Sequence, residues 1–149
     1  MVRFKIRCAV FLILTKIEDG KEYVLLQHRH NTGIEDDKWG VSVGGHLEKG
    51  ETVKECLIRE TLEEININIK SEDLTLVNIV HANFGGTEYL MPVFHANKWQ
   101  GKPKIMEPDK CDDLKWFDIH DLPENTSDNR RQMIEDYLNN QNYREVGFK

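Results

Sequence analysis

The sequence predicts an α/β (α+β) domain in which helices pack on a central mixed β-sheet. Apolar residues repeat with a period of two in segments that lie both before and after one central segment of helical character, which suggests a mixed sheet with helices packed on it. The 149 residues suit one domain, and a chain of that size buries about 68–70% of its unfolded surface. With 39% hydrophobic residues, 3 Trp, 6 Phe and 4 Tyr, a folded core is expected rather than disorder. No repeat, low-complexity tract or linker divides residues 1–149, so a single domain is expected.

Along the chain, Phe4, Ile6, Cys8, Val10, Leu12 and Leu14 alternate with Lys5, Arg7, Ala9, Phe11, Ile13 and Thr15. This predicts a strand buried increasingly on both faces. Its apolar run, Cys8 to Leu14, is far short of the ~20 residues that span a bilayer. Thr15 to Asp19 offers no small-residue cleavage site, so the basic residues ahead of the run do not make it a signal peptide. Glu18 to Lys21 is a turn, and Tyr23 to His28 a hairpin partner strand. Asn31 to Lys38 is a polar loop, and Trp39 to Val43 a short strand ending at Gly44-Gly45. Thr52 to Ile65 lacks Gly and Pro and predicts a helix. Leu74 to Phe84 and Glu88 to Asn97 are strands joined by Gly85-Gly86. Gly101 to Pro108 is a loop, Leu114 to Phe117 a short strand, and Asn129 to Asn140 a last helix with Met133, Ile134, Tyr137 and Leu138 at helical spacing.

Charge narrows the partners. Twenty Lys+Arg against 26 Asp+Glu leave a formal charge of −6, which argues against a nucleic acid polymer as partner. A small phosphorylated substrate remains compatible, because a bound divalent cation inverts the local field. Cys8, Cys56 and Cys111 form neither a disulfide framework nor a zinc set. They suit buried positions in a reducing compartment, so a cytoplasmic protein without membrane attachment is expected.

The central helix carries the chemistry. At 100° per residue from Val53, Arg59 falls near ~240°, Glu63 near ~280°, Glu60 near ~340° and Glu64 near ~20°. Three carboxylates thus share an arc of roughly 100°, and Glu60 and Glu64 are an i, i+4 pair of like charge, which weakens a helix. Thr61, Ile65, Ile58 and Leu62 form an apolar arc from ~80° to ~180°, while Val53, Leu57 and Cys56 interleave with the acids. The acids are therefore aimed partly inward, where they need a cation. Oxygen ligands without His or Cys suit Mg²⁺ or Mn²⁺. Gly44-Gly45 permits close backbone approach, and Asn66 is placed to end the helix in the left-handed region.

Gly45, Glu51, Arg59, Glu60, Glu63, Glu64 and Ile67 resemble the Nudix box, G-x5-E-x7-R-E-U-x-E-E-x-G-U with U bulky and apolar, over residues 45–67. Thr61 departs at the first U and Asn66 at the late Gly. The resemblance implies a Nudix fold, an α/β/α sandwich around a mixed sheet, and Mg²⁺-dependent hydrolysis of a nucleoside diphosphate linked to another moiety. It implies that Glu60 and Glu64 are metal ligands and Glu63 a ligand or an acid acting through a bridging water. The carbonyl of Gly44 is implied as a further ligand. Arg59 and Glu51, with Gly45, are implied to support and orient the acids.

The segment from Glu107 through Trp116-Phe117 to Leu122-Pro123 resembles the mutator-type nucleoside triphosphate branch of that family. There Glu107 matches a loop carboxylate that joins the metal cluster, Arg29 a phosphate contact and Asn125 a base-reading position. Glu107 and Arg29 have bland alternatives, a solvated acid and a surface arginine. Trp39 either stacks on a base or caps the core. The six histidines lack metal spacing, and Lys102, Lys104 and Lys110 form a basic loop cluster, solvated or steering phosphates. The expected activity is pyrophosphohydrolysis of a nucleoside 5′-triphosphate, oxidised or non-standard nucleotides included. The alternative is another linked diphosphate, such as ADP-ribose or a dinucleotide polyphosphate. A homodimer is compatible with either. A non-catalytic nucleotide sensor is the reading from another class, and the presence of every box acid argues against it.

Overall fold

A computed structural model describes residues 2–149. Strand β1 (Arg7–Glu18) runs through the middle of a mixed sheet. Its far end forms a hairpin with β2 (Lys21–Arg29), and its near part pairs in parallel with β6 (Thr87–Ala96). Strand β6 is antiparallel to β5 (Thr75–Phe84), and β5 is flanked in parallel by β8 (Tyr143–Val146). On the other side β2 carries β3 (Trp39–Val41) and β7 (Cys111–Asp118), both antiparallel. Strand β4 (Val43–His46) pairs with β1.

The alternation in β1 sorts two cores. Ala9, Phe11 and Ile13 meet Met133 and Ile134 of helix α2 (Asp128–Leu138). Val10, Leu12 and Leu14 meet Cys56, Leu57 and Ile65 of helix α1 (Val53–Ile65). The sheet is thus sandwiched between two helices, as expected. Among the described residues no helix is long and apolar enough to cross a membrane.

Helix α1 starts where a capping box fixes it. Thr52 Oγ1 accepts the Glu55 N–H at 3.1 Å, and Glu55 Oε1 accepts the Thr52 N–H at 2.9 Å, an arrangement that stabilises a helix start by about 1 kcal/mol. It ends at Asn66, with φ 60°, in the left-handed region that Asn tolerates.

Three expectations are corrected, and one strand is added. Strand β1 begins at Arg7, not Phe4, because pairing with β6 starts there and Phe4 lies out in solvent. Trp39 to Val43 is not one strand: at Ser42 the chain changes partner, from β2 to β1, so Gly44 and Gly45 lie inside β4, opposite Phe11 and Val10. The buried side of α1 is centred on Cys56, Leu57, Thr61 and Ile65, while Leu62, at the edge of the apolar arc, is 46% exposed. Strand β8 was not expected, since charged residues interrupt its pattern.

An ion pair holds β8 in place. Arg144 donates through Nε to Asp136 Oδ2 at 2.7 Å and through Nη2 to Oδ1 at 2.6 Å. Burial pushes the Asp136 carboxyl up, but Arg144, Gln132 and Asn78 outweigh it and hold the group below the usual carboxylate range. Arg144→Met is expected to cost about 3 kcal/mol, because it strands a buried charge. A depressed carboxylate stabilises above its unfolded pKa and loses that contribution as pH falls through its folded value. Denaturant titrations should therefore show the gap between wild type and variant closing in acid.

Candidate active site

Strand β4 passes so close to α1 at Gly45, and to Phe11 of β1 at Gly44, that neither position admits a side chain. A Cβ on Gly45 would lie 2.3 Å from Glu60 Cδ, and one on Gly44 would lie 2.5 Å from the Phe11 ring. The glycines are required here for clearance. Glu60, one turn before Glu64 on α1, therefore lies against the bare backbone of Gly45.

Glu64 is the innermost acid. Its Oε2 is buried and has no hydrogen-bond partner among the described residues. Burial, then the adjacent Glu60 carboxylate and the charge of Glu107, push the Glu64 carboxyl up to about 9, against the backbone amide of Gly44. Such an arrangement disfavours the fold unless something positive joins it.

Glu107 arrives from the loop that follows β6. The Lys104 N–H donates to Ile65 O at 3.0 Å and the Met106 N–H to Glu64 O at 3.3 Å. These bonds satisfy carbonyls left open at the end of α1 and clip the loop beside Glu64. A cleft of about 70 Å³ lies there, lined by Gln27, Arg29, Thr32, Glu64, Glu107 and Lys110 among others.

Arg59 joins the loop after β4 to the helix. It donates through Nε to Glu51 Oε2 at 3.1 Å, through Nη2 to Glu51 Oε1 at 2.8 Å, and through Nη1 to Glu60 Oε1 at 2.8 Å. The same guanidinium pulls the Glu51 carboxyl down to about 2, helped by the Glu48 amide. This fork geometry fixes one carboxylate while steering another.

The structure separates the remaining expected residues. Glu63 points outward: its side chain is 58% exposed and reaches Arg59 at 3.4 Å, apart from Glu64. Among the described residues no three His, Cys, Asp or Glu side chains converge as a finished ligand set. What is assembled is Glu60, Glu64, the Gly44 backbone and the nearby charge of Glu107. Arg29 lines the cleft, donating to Ile34 O at 2.9 Å and Thr32 Oγ1 at 3.2 Å. Lys110 lines it too, whereas Lys102 and Lys104 are exposed away from it. Trp39 packs edge-on against Phe117, with ring centres 4.8 Å apart. Asn125 donates to Asp37 O at 2.9 Å. Neither Trp39 nor Asn125 lines the cleft. Gln27 and Thr32 do, and sequence analysis missed them; the alternation of β2 puts Gln27 and Arg29 on one face, the signal that was available for the former.

Comparison with known proteins agrees with this geometry. A family model described as the NUDIX domain matches residues 6–137. The NAD-capped RNA hydrolase NudC of Pseudomonas putida is 34% identical over 83 residues, covering 55% of this chain and 28% of that protein. The match thus spans less than a third of that relative's length. The crystal structure of a MutT NUDIX hydrolase from Burkholderia pseudomallei superposes with a TM-score of 0.76 at 28% identity, covering 89% of this chain and 98% of that one. The NUDIX domain of Shewanella oneidensis NrtR, solved with ADP ribose, shares the fold with a TM-score of 0.74 at 19% identity, over 92% of this chain and 89% of that domain.

Proposed function

The chain belongs to the NUDIX domain family, and from that premise we propose that it is a Mg²⁺-dependent hydrolase of phosphoric anhydride bonds that converts a nucleoside 5′-triphosphate to a monophosphate and pyrophosphate, with Mn²⁺ as substitute ion. The observation that carries this reading is the buried, unpartnered Oε2 of Glu64, set against Glu60 and Glu107. The donors fit a hard divalent cation: they are oxygens throughout, and the missing Gly45 side chain lets the Glu60 carboxylate lie directly against the β4 backbone.

Glu60, Glu64, Glu107 and the Gly44 carbonyl would hold the ion. When bound, it neutralises phosphate charge and acidifies water. The chain supplies the rest. Arg59, anchored on Glu51, keeps Glu60 in place. Arg29 and Lys110 offer positive charge in the cleft on which phosphate oxygens can be aligned. A carboxylate of the cluster accepts the proton of the attacking water. The water oxygen forms a bond to phosphorus, the anhydride P–O bond breaks, and its electron pair leaves with the departing phosphate. Glu63, in solvent, acts on this site only through Arg59.

A second reading is cleavage of another nucleoside-diphosphate-linked compound, such as ADP-ribose or a dinucleotide polyphosphate. It is favoured by the 34% identity to an NAD-capped RNA hydrolase.

One experiment tests both. A set of nucleoside triphosphates, ADP-ribose and dinucleotide polyphosphates is incubated with Mg²⁺ in ¹⁸O-labelled water, and the products are separated. Monophosphate and pyrophosphate, with label in one of them only, is the expected result, and a chelator should abolish it. Release of single orthophosphate would sink the triphosphate reading, and cleavage of ADP-ribose alone would establish the second.

A further inference from the structure

Arg130, on α2, has no ion-pair partner among the described residues. Its Cζ lies 4.0 Å from the centre of the Phe11 ring. Its Cγ would stand 3.2 Å from a Cβ on Gly40, so its stem fills the space above that glycine. Its one side-chain hydrogen bond is a 3.9 Å contact from Nη1 to Met133 Sδ. No carboxylate among the described residues approaches it within ion-pair distance, and the same holds for Arg29.

The two arginines sense each other. Burial, then the positive charge of Arg29, press the Arg130 guanidinium down to about 10, with Glu35 opposing. A half-buried cation whose donors are unspent, placed near a second cation, disfavours the fold. Methionine would cover Phe11 at lower cost. The position also matters: the Phe11 ring that Arg130 covers is the ring on which Gly44 closes. Gly40, over which the Arg130 stem lies, is the β3 partner of Gln27, and Gln27 lines the cleft, so Arg130 stands over the strand next to it. Stacking on one face fixes the plane of a guanidinium and leaves its edge donors for oxygens in that plane.

We propose that Arg130 holds a phosphate group of the substrate, acting with Arg29 as a two-arginine seat for the anion. The assignment rests on the reading of the site as a hydrolase of phosphoric anhydrides. Two guanidiniums suit a multiply charged oxyanion, because each offers paired N–H donors to adjacent oxygens.

The test is calorimetric binding of inorganic pyrophosphate with Mg²⁺, alongside steady-state kinetics on the best triphosphate. Arg130→Met keeps the apolar stem over Phe11. It should weaken pyrophosphate binding by at least ~10-fold, the scale of a lost charged hydrogen bond, and raise KM more than it lowers kcat. Arg130→Lys, the conservative variant and the one to rely on if the Met variant melts early, should show a smaller loss. Lys21→Met, which removes the same charge at the start of β2, should bind like wild type. Equal pyrophosphate affinity in wild type, Arg130→Met and Arg130→Lys, or no binding by any, would overturn the seat and leave Arg130 a cover for Phe11. Turnover of no triphosphate by wild type, with pyrophosphate affinity still dependent on Arg130, would reject the substrate reading and keep the seat.

Discussion

Glu64→Gln is expected to lower kcat by at least ~10²-fold without weakening the fold. The change is almost isosteric and removes only the charge. Glu64 is half-buried with one oxygen buried and unpartnered, and its carboxyl is pushed up to about 9 by burial and by Glu60 and Glu107, so a neutral amide removes the cost of holding a carboxyl there in the protein without metal. Two melting curves check this. In chelator the variant should melt at or above wild type. With saturating Mg²⁺ wild type should gain more than the variant, since an ion that binds only the folded state stabilises it by mass action. Glu55→Gln is the internal control. Glu55 is exposed, and its carboxylate caps Thr52, a task Gln performs as well. Its kcat should match wild type. Full activity of Glu64→Gln would remove the cluster from the mechanism.

Gly45→Ala is expected to reduce kcat by ~10- to 100-fold, because misplacement of a catalytic group by about 1 Å has that scale. The new methyl would stand 2.3 Å from Glu60 Cδ. The carboxylate lies at the end of a flexible side chain, so it swings aside and the fold survives. Gly44→Ala is the contrast. There the methyl would meet the Phe11 ring at 2.5 Å, and a packed ring cannot swing, so the expected cost is ~1–3 kcal/mol of stability by overpacking. Denaturant midpoints and kcat measured on both variants separate these outcomes. Equal loss of kcat and unchanged midpoints in the two would contradict the geometry.

The acid spacing on α1 was legible because a helix imposes its angles on any sequence. Glu60 and Glu64 must be neighbours wherever the helix lies. Which sector faces the sheet was not legible, since that depends on β1 and β4 beneath it. The wheel favoured Leu62, and the sheet took Cys56 and Leu57 instead. Asn66 was legible, because few residues accept positive φ. The change of partner at Ser42 was not, since Val41 and Val43 read as one alternating run whichever strand they join. Glu107 was placed only by family resemblance. The bonds that bring it to Glu64 are donated by the backbone of Lys104 and Met106, and backbone groups leave no mark on composition. Glu63 and Glu64 are adjacent and chemically identical, yet one is exposed and the other half-buried; a 100° turn separates them. Arg144 and Asp136 meet across the bend after α2, a contact no periodicity encodes.

The parallel pairing of β1 with β6 has a consequence for how the protein comes into being. Arg7 lies opposite Tyr89 and Leu14 opposite Ala96, so a strand made early waits for one made much later. A parallel pair admits no tight hairpin and must close a long loop, which slows folding. β4 hangs on β1, and the acids on α1 have their floor only when β1 is fixed. While the chain is being synthesised, the acidic helix therefore emerges before the strand that completes its seat, and β1 stands in the interval with an open edge. That edge is the place where nascent chains of this protein are most exposed to misassociation, and the catalytic seat is among the last features to mature.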